Sequence, residues 1–448
     1  MAKAVKITPQ EAALKLRESS EQLSQYGGFD IVATTVAKGQ NLDPNKKALK
    51  NIFLNEDTYA EDREELEVNI TQWLELIKAH ENVADMISAA GEQQATSERL
   101  LSTNQSKGLE ATRTLEQAYR TMAMFYKNAG TTKVKDLTIV NADPDQITDL
   151  DNTTFFDYIN DLLVDNFDRL DLSRNYSLLV LPGYLGKNAV LEKWAKAAHK
   201  NKVMMITDFR DLESPDDVMA LFESAKHAGS DTYRANVIMT CNWLLGREKE
   251  GDVGEEEDIY LPPSAALAGL LYATRISQPP AAYKHGGLSE VSGVHFDLRH
   301  SEISDLEKLG LVPIVNEFGK VMSYSAKTLF NGDDLGLKTY SVVRVFNWIS
   351  KCLCDYLNRM AFQNFTVKTK KAIESQLISF LEGIKGADRI IEKFKIIKFE
   401  QDPKQKDRIL LDIHVKPFFP AKNFVIKLSG TKGEDPEDPN FQAEVTEA

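Results

Sequence analysis

Cysteine is scarce: three residues in 448 cannot build a disulfide framework. Cys241 stands alone, while Cys352 and Cys354 sit two apart in a helical pattern and point in different directions. NWISKCLCDYL supplies too few thiolates and imidazoles for a zinc site, so all three read as small core residues in a reducing compartment. Long apolar runs are missing too. Nothing approaches the roughly 20 residues that cross a bilayer, and MAKAVKITPQEAALKLRESS has no signal-peptide core, so a cytoplasmic location without membrane insertion is expected. Positive charge is in deficit. A net charge of −13 argues against a sequence-independent grip on nucleic acid, which needs a positive face.

Catalytic signatures are equally sparse. LPGYLGKNAVLEKW offers glycines and Lys187 between a strand and a helix, but a phosphate loop needs glycine where Leu181 stands and Ser or Thr where Asn188 stands. Asn188 reads instead as a helix N-cap. No GxGxxG fingerprint occurs. The acidic run Glu248 to Asp258 and the spaced Asp143, Asp145, Asp149 and Asp151 lack the glycine and closing glutamate of a calcium loop, and read as solvated surface. His80, His199, His227, His285, His295, His300 and His414 are scattered, and GLSEVSG lacks the last glycine of a nucleophile elbow. No cofactor is therefore expected, and an α/β nucleotide- or metabolite-binding enzyme is the remote reading.

What is present is an ordinary globular composition, 42% hydrophobic and 27% charged, enough for two or three cores. The fold class expected is mixed, α/β and α+β, in five stretches. Residues 1–56 form an arm: a helix from Thr8 to Tyr26, a strand FDIVATTV, and a polar tether from Ala37 to Lys47. Residues 57–130 are helical, with Trp73, Leu74, Leu76 and Ile77 expected against a core and Met122, Met124, Phe125 and Tyr126 read as packing. Residues 131–260 alternate strand and helix as a parallel α/β layer does. Residues 261–429 mix short strands with helices at Tyr340 to Phe362 and Lys368 to Ile384, then three strands, the last (NFVIKLSG) without an obvious neighbour. Residues 430–448 read as an acidic, disordered tail.

The segment DIYLPPSAALAGLLYATRISQPPAAYKHGGLSEVSGV, followed by SEISDLEKLGLVPIVNEFGKVMSYSAKTL, resembles the core of contractile tail sheath proteins. The matching positions are the turn and small-residue helix at Pro262, Pro263, Ser264, Ala268 and Gly269, then Arg275, Pro280-Ala281, Leu309-Gly310, Phe318-Gly319 and Ala326 to Leu329. Upstream, SRNYSLLVLPG and SAKHAGSDTYRANVIMTCNW extend the likeness. Downstream, SVVRVFNWISKCLCDYL, FLEGIKG and ILLDIHVKPFFPAKNFVIKLSG do the same. The chain length, the N-terminal arm and the ending are similar to the type VI secretion large sheath subunit (the TssC family), in a divergent branch.

That resemblance implies a structural, non-enzymatic protein that pairs with a small sheath subunit and polymerises with itself as a helix around an inner tube protein on a baseplate, contracting to deliver effectors. It implies strand exchange between subunits through Phe29, Ile31, Val32 and Val36 at one end and Phe424, Val425, Ile426 and Leu428 at the other. It also implies a charged attachment helix in GIKGADRIIEKFK, with Lys385, Asp388, Arg389, Glu392 and Lys393 contacting the inner tube. A single-subunit phage-like or extracellular injection sheath is the alternative. Whether a disassembly AAA+ ATPase engages the N-terminal helix stays open.

Overall fold

The computed structural model describes residues 57–80, 82–130, 134, 136–173, 175–422, 424–430 and 441–446. The helix, strand and tether expected over 1–56, with Phe29, Ile31, Val32 and Val36, lie outside the described residues. The chain divides into two compact units, Met1–Gly108 and Leu109–Ala448.

In the first unit, helix α1 (Ala60–Ala79) buries Arg63, Leu66, Ile70 and Leu74, a stripe at spacings of three and four. Trp73 was expected against a core. It is instead 56% exposed, because a residue next to Leu74 in sequence sits about 100° round the helix from it. Helix α2 (Val83–Ala129) starts in this unit and continues into the second.

The second unit is built on one mixed sheet. Helix α3 (Thr154–Phe167) leads to β1 (Leu178–Tyr184), α4 (Asn188–Lys200), β2 (Met204–Asp208), α5 (Pro215–Ala225) and β3 (Val237–Cys241). A hairpin-like layer of β4 (Leu244–Arg247), β5 (Ile259–Leu261) and β6 (Gly293–Val294) encloses α6 (Ser264–Ala273) in sequence. Helix α7 (His300–Lys308) then returns the chain to β7 (Leu311–Glu317) and β8 (Lys320–Ser323). The sheet order is β1-β2-β3-β7-β8, parallel except for β8.

MMITD and VIMTC are buried at every position, as strands covered on both faces must be. Their alternation decides which layer each side chain joins. Met205, Val237 and Met239 enter one core with Trp194 of α4, Phe222 of α5 and Leu306 of α7. Met204, Ile206 and Ile238 enter the opposite core with Leu267 and Leu271 of α6. Helix α5 starts where Pro215 follows Ser214, whose hydroxyl accepts from the Asp217 N–H at 3.2 Å. Because the parallel strands follow chain order without reversal, the sheet has no topological switch point among the described residues, the usual place for an α/β ligand crevice.

Two long helices, α8 (Tyr340–Met360) and α9 (Val367–Ile384), cover an antiparallel ladder of β9 (Ile391–Gln401) and β10 (Ile409–Pro417). A second pair follows, β11 (Val425–Gly430) with β12 (Phe441–Thr446).

Several expectations are corrected. Since β7 joins β3, a boundary at 260/261 would cut a single sheet. NFVIKLSG has a neighbour in its own chain, and the tail from Gly430 contains a strand, because the backbones of VIKLSG and FQAEVT ladder antiparallel from Val425 with Thr446 to Gly430 with Phe441. Asn188 is the first helical residue of α4 and not its cap, a place taken by Lys187 with extended backbone. Cys354 is exposed, while Cys241 is buried and Cys352 half-buried.

Candidate assembly surfaces

The Pro-Pro-Ser turn is held by a carboxylate to which sequence reading gave no role beyond ending a strand. Asp208 ends the apolar strand β2 with no solvent exposure. A buried carboxylate needs donors, and four reach it: Ser264 N–H at 2.7 Å, Ser264 Oγ at 2.5 Å, Thr240 Oγ1 at 2.5 Å and Gly183 N–H at 2.8 Å. Burial pushes the Asp208 carboxyl up to about 6, against the pull of those hydrogen bonds. The knot ties the ends of β1, β2 and β3 to the start of α6. The signal available in the sequence was an acid closing a run that is otherwise buried.

Pro263 caps α6 in helical conformation, its missing N–H costing nothing there, and Pro262 precedes it. Ala268 and Gly269 are buried. A Cβ on Gly269 would stand 2.5 Å from the Phe125 carbonyl oxygen and 2.9 Å from the Ala129 nitrogen, so the small residue lets the end of α2 pack backbone to backbone on α6. The motif is therefore a joint between helices, and it presents no reactive group.

A second joint ties α2 to the β4–β5 layer. Arg247 lies between Glu116 at 3.0 Å and Glu255 at 2.7 Å, and Arg113 reaches Glu255 at 3.0 Å. The Arg247 hydrogen bond, aided by the Glu250 N–H, holds the Glu255 carboxyl down to about 2. Burial raises Glu116, but its bonds to Arg247 and Arg120 outweigh that and leave it below the usual range. The run Glu248 to Asp258, expected as solvated surface, is thus partly built in: Glu255 keeps 8% of its side chain exposed. Interleaved with this anchor, α2 turns Leu115, Tyr119 and Met122 outward at spacings of four and three, 72%, 73% and 41% exposed.

The segment expected as a charged attachment helix is not helical. Helix α9 stops at Ile384, Gly386 and Asp388 take left-handed conformations, and β9 begins at Ile391. Lys385 pairs with Glu382 at 2.8 Å, Arg389 donates to the Gly383 carbonyl at 3.0 Å, and Arg275 donates to the Asp388 carbonyl. Glu392 pairs with Lys416 at 2.5 Å, and Lys393 is exposed on β9. Ile391 is fully buried beside Val345 and Ile349, with Ile390 packed against them. All five charged residues lie in the turn after α9 and the first residues of β9. Phe424, just before the last ladder, and Ile426 within it are 62% and 45% exposed.

Among the described residues no group of three His, Cys, Asp or Glu side chains could hold a metal ion, and no helix is long and apolar enough to cross a membrane. No curated protein matches the chain by sequence. Family models do match: the central domain of type VI secretion system TssC/VipB over residues 107–331, the TssC/VipB-like C-terminal domain over 339–447, and the TssC/VipB-like N-terminal region over 16–105. Among solved structures, the chain is similar to a component of the six-fold symmetrised anti-feeding prophage baseplate, at a TM-score of 0.51 and 16% identity over 70% of this chain and 80% of that one. It is similar also to the contracted helical sheath of the anti-feeding prophage, at 0.51 and 16%, over 71% and 82%. At such identity the likeness is one of fold. With family models running in order from residue 16 to 447 on a sheath-like fold, the chain belongs to the TssC/VipB family of type VI secretion systems and is a contractile sheath subunit, structural and not an enzyme.

Proposed function

We propose that this chain is the large subunit of a cytoplasmic sheath that assembles with a small sheath subunit around an inner tube, on a baseplate, and contracts to deliver effectors. The observation that carries the pairing is the outward stripe of Leu115, Tyr119 and Met122 on a helix locked by buried contacts. A contiguous apolar face that cannot rotate inward needs a partner's apolar face over it. Strand exchange is supported by the two-stranded sheet of β11 and β12: among the described residues β11 pairs only with β12, so its far edge can take a strand donated by a neighbouring subunit. Phe424, Val425, Ile426 and Leu428 would then meet Phe29, Ile31, Val32 and Val36 of another copy. We assign the segment carrying Lys385, Asp388, Arg389, Glu392 and Lys393 to the inner tube. A disassembly AAA+ ATPase belongs to the same reading as a partner of the assembled sheath.

Negative-stain microscopy of the full chain, expressed with and without the small sheath subunit, tests the pairing. Long striated tubes only in the presence of the small subunit, with aggregated material in its absence, are expected. Tubes from this chain alone would make it a single-subunit sheath.

A further inference from the structure

One face of α8 is polar where it should be apolar. Arg344, Asn347, Lys351 and Asp355 recur at spacings of three and four, and this row faces a cavity of about 300 Å³ that Asn175 and Lys202 also line. Arg344 and Lys351 are only 8% and 9% exposed. Arg344 donates one nitrogen to the Leu271 carbonyl at 2.9 Å, while its Nη1 and the Asn347 amide nitrogen have no partner among the described residues. Lys351 donates to the Tyr176 carbonyl at 2.6 Å, which uses one of its three protons.

The sole carboxylate in the lining is already engaged. Asp355 accepts from the Leu172 N–H at 2.9 Å through one oxygen and from Arg359 at 2.8 Å through the other. Lys202, Arg344 and Lys351 therefore outnumber the negative charge in the cavity. Burial, with the like charge of Lys202, brings the Lys351 ammonium down to about 8, and burial brings the Arg344 guanidinium down to about 10. Water can satisfy an amide, but it does not neutralise buried cations.

We propose that this cavity is an oxyanion site, binding a small anion of the phosphate class between Lys202, Arg344, Asn347 and Lys351. An anion there would take the two unpartnered donors and the remaining ammonium protons, as charge-assisted bonds. The site is independent of the sheath contacts above: the stripe on α2 and the strands β9 to β12 contribute nothing to it.

Equilibrium dialysis of the full-length chain against radiolabelled inorganic phosphate, at matched chloride ionic strength, measures it in soluble or assembled form. One saturable phosphate per chain is expected. Lys202→Gln, at a half-buried lining position, should weaken binding at least about tenfold, the worth of a hydrogen bond to a charged group, with circular dichroism unchanged. Lys351→Met should abolish binding. Absence of saturable binding at millimolar phosphate, or equal affinity in the Lys202→Gln and parent chains, overturns the site.

Discussion

Gly269 and Asp208 show how single positions hold the joint at the Pro-Pro-Ser turn. Gly269→Ala adds about 1 kcal/mol of helix propensity, but its methyl meets backbone atoms of α2 at 2.5 and 2.9 Å, which cannot yield as a side chain would. Overpacking of this kind costs about 1–3 kcal/mol, so a net loss is expected as a lower urea midpoint, and an unchanged midpoint would refute the close approach. Asp208 predicts a pH slope. Its folded pKa, about 6, lies above the ordinary 3.8, so the fold is unpenalised below pH 4, loses stability as pH rises to 6 and is level above that. The full effect is about 3 kcal/mol for a shift of that size. Urea titrations between pH 4 and 7 should show this slope in the parent chain and its loss in Asp208→Asn. Glu255 acts in the opposite sense, its contribution present above pH 4.5 and lost toward pH 2. The turn itself was legible in PPSAALAG because proline and small residues act locally. Asp208 was not, since its four donors arrive from Gly183, Thr240 and Ser264.

Among elements, the β4–β5 layer depends on α2 through Arg247. Replacing it by leucine leaves Glu116 and Glu255 facing each other with Arg113 and Arg120 as the remaining counter-charges. Breaking a buried pair costs about 3–5 kcal/mol, and with 17% of the Arg247 side chain exposed we expect roughly 1–3 kcal/mol. Hydrogen exchange should quicken in β4 and β5 ahead of β2 and β3, and uniform exchange across all four strands would count against the ion network as their anchor. The helices and parallel strands were readable because periodicity is a property of neighbours in the chain. GIKGADRIIEKFK does not form the helix that the sheath resemblance implied, because Ile391 is drawn under α8 and the chain must turn at Gly386 and Asp388 to reach it.

At the scale of the whole molecule, the segment assigned to the inner tube can be tested without unfolding it. Lys385 and Arg389 are committed within their turn, so reversing them would disturb folding. Lys393 and Lys395 are exposed on β9, and Lys393→Glu with Lys395→Glu should leave sheath assembly intact while lowering the ratio of tube protein to sheath protein in purified sheaths. A ratio equal to that of the parent would move the attachment surface elsewhere. Sequence alone showed an α/β alternation and, in the Pro-Pro-Ser turn and the segments around it, a resemblance to sheath proteins, local patterns that need no partner to be seen. Tertiary structure decided the rest, because the rest consists of meetings between distant residues. It merged two expected domains into one sheet by setting β7 beside β3, paired β11 with a tail read as disordered, and buried Arg344 and Lys351 around a cavity. Each of these depends on which apolar faces close on one another, and only the folded chain brings those faces together.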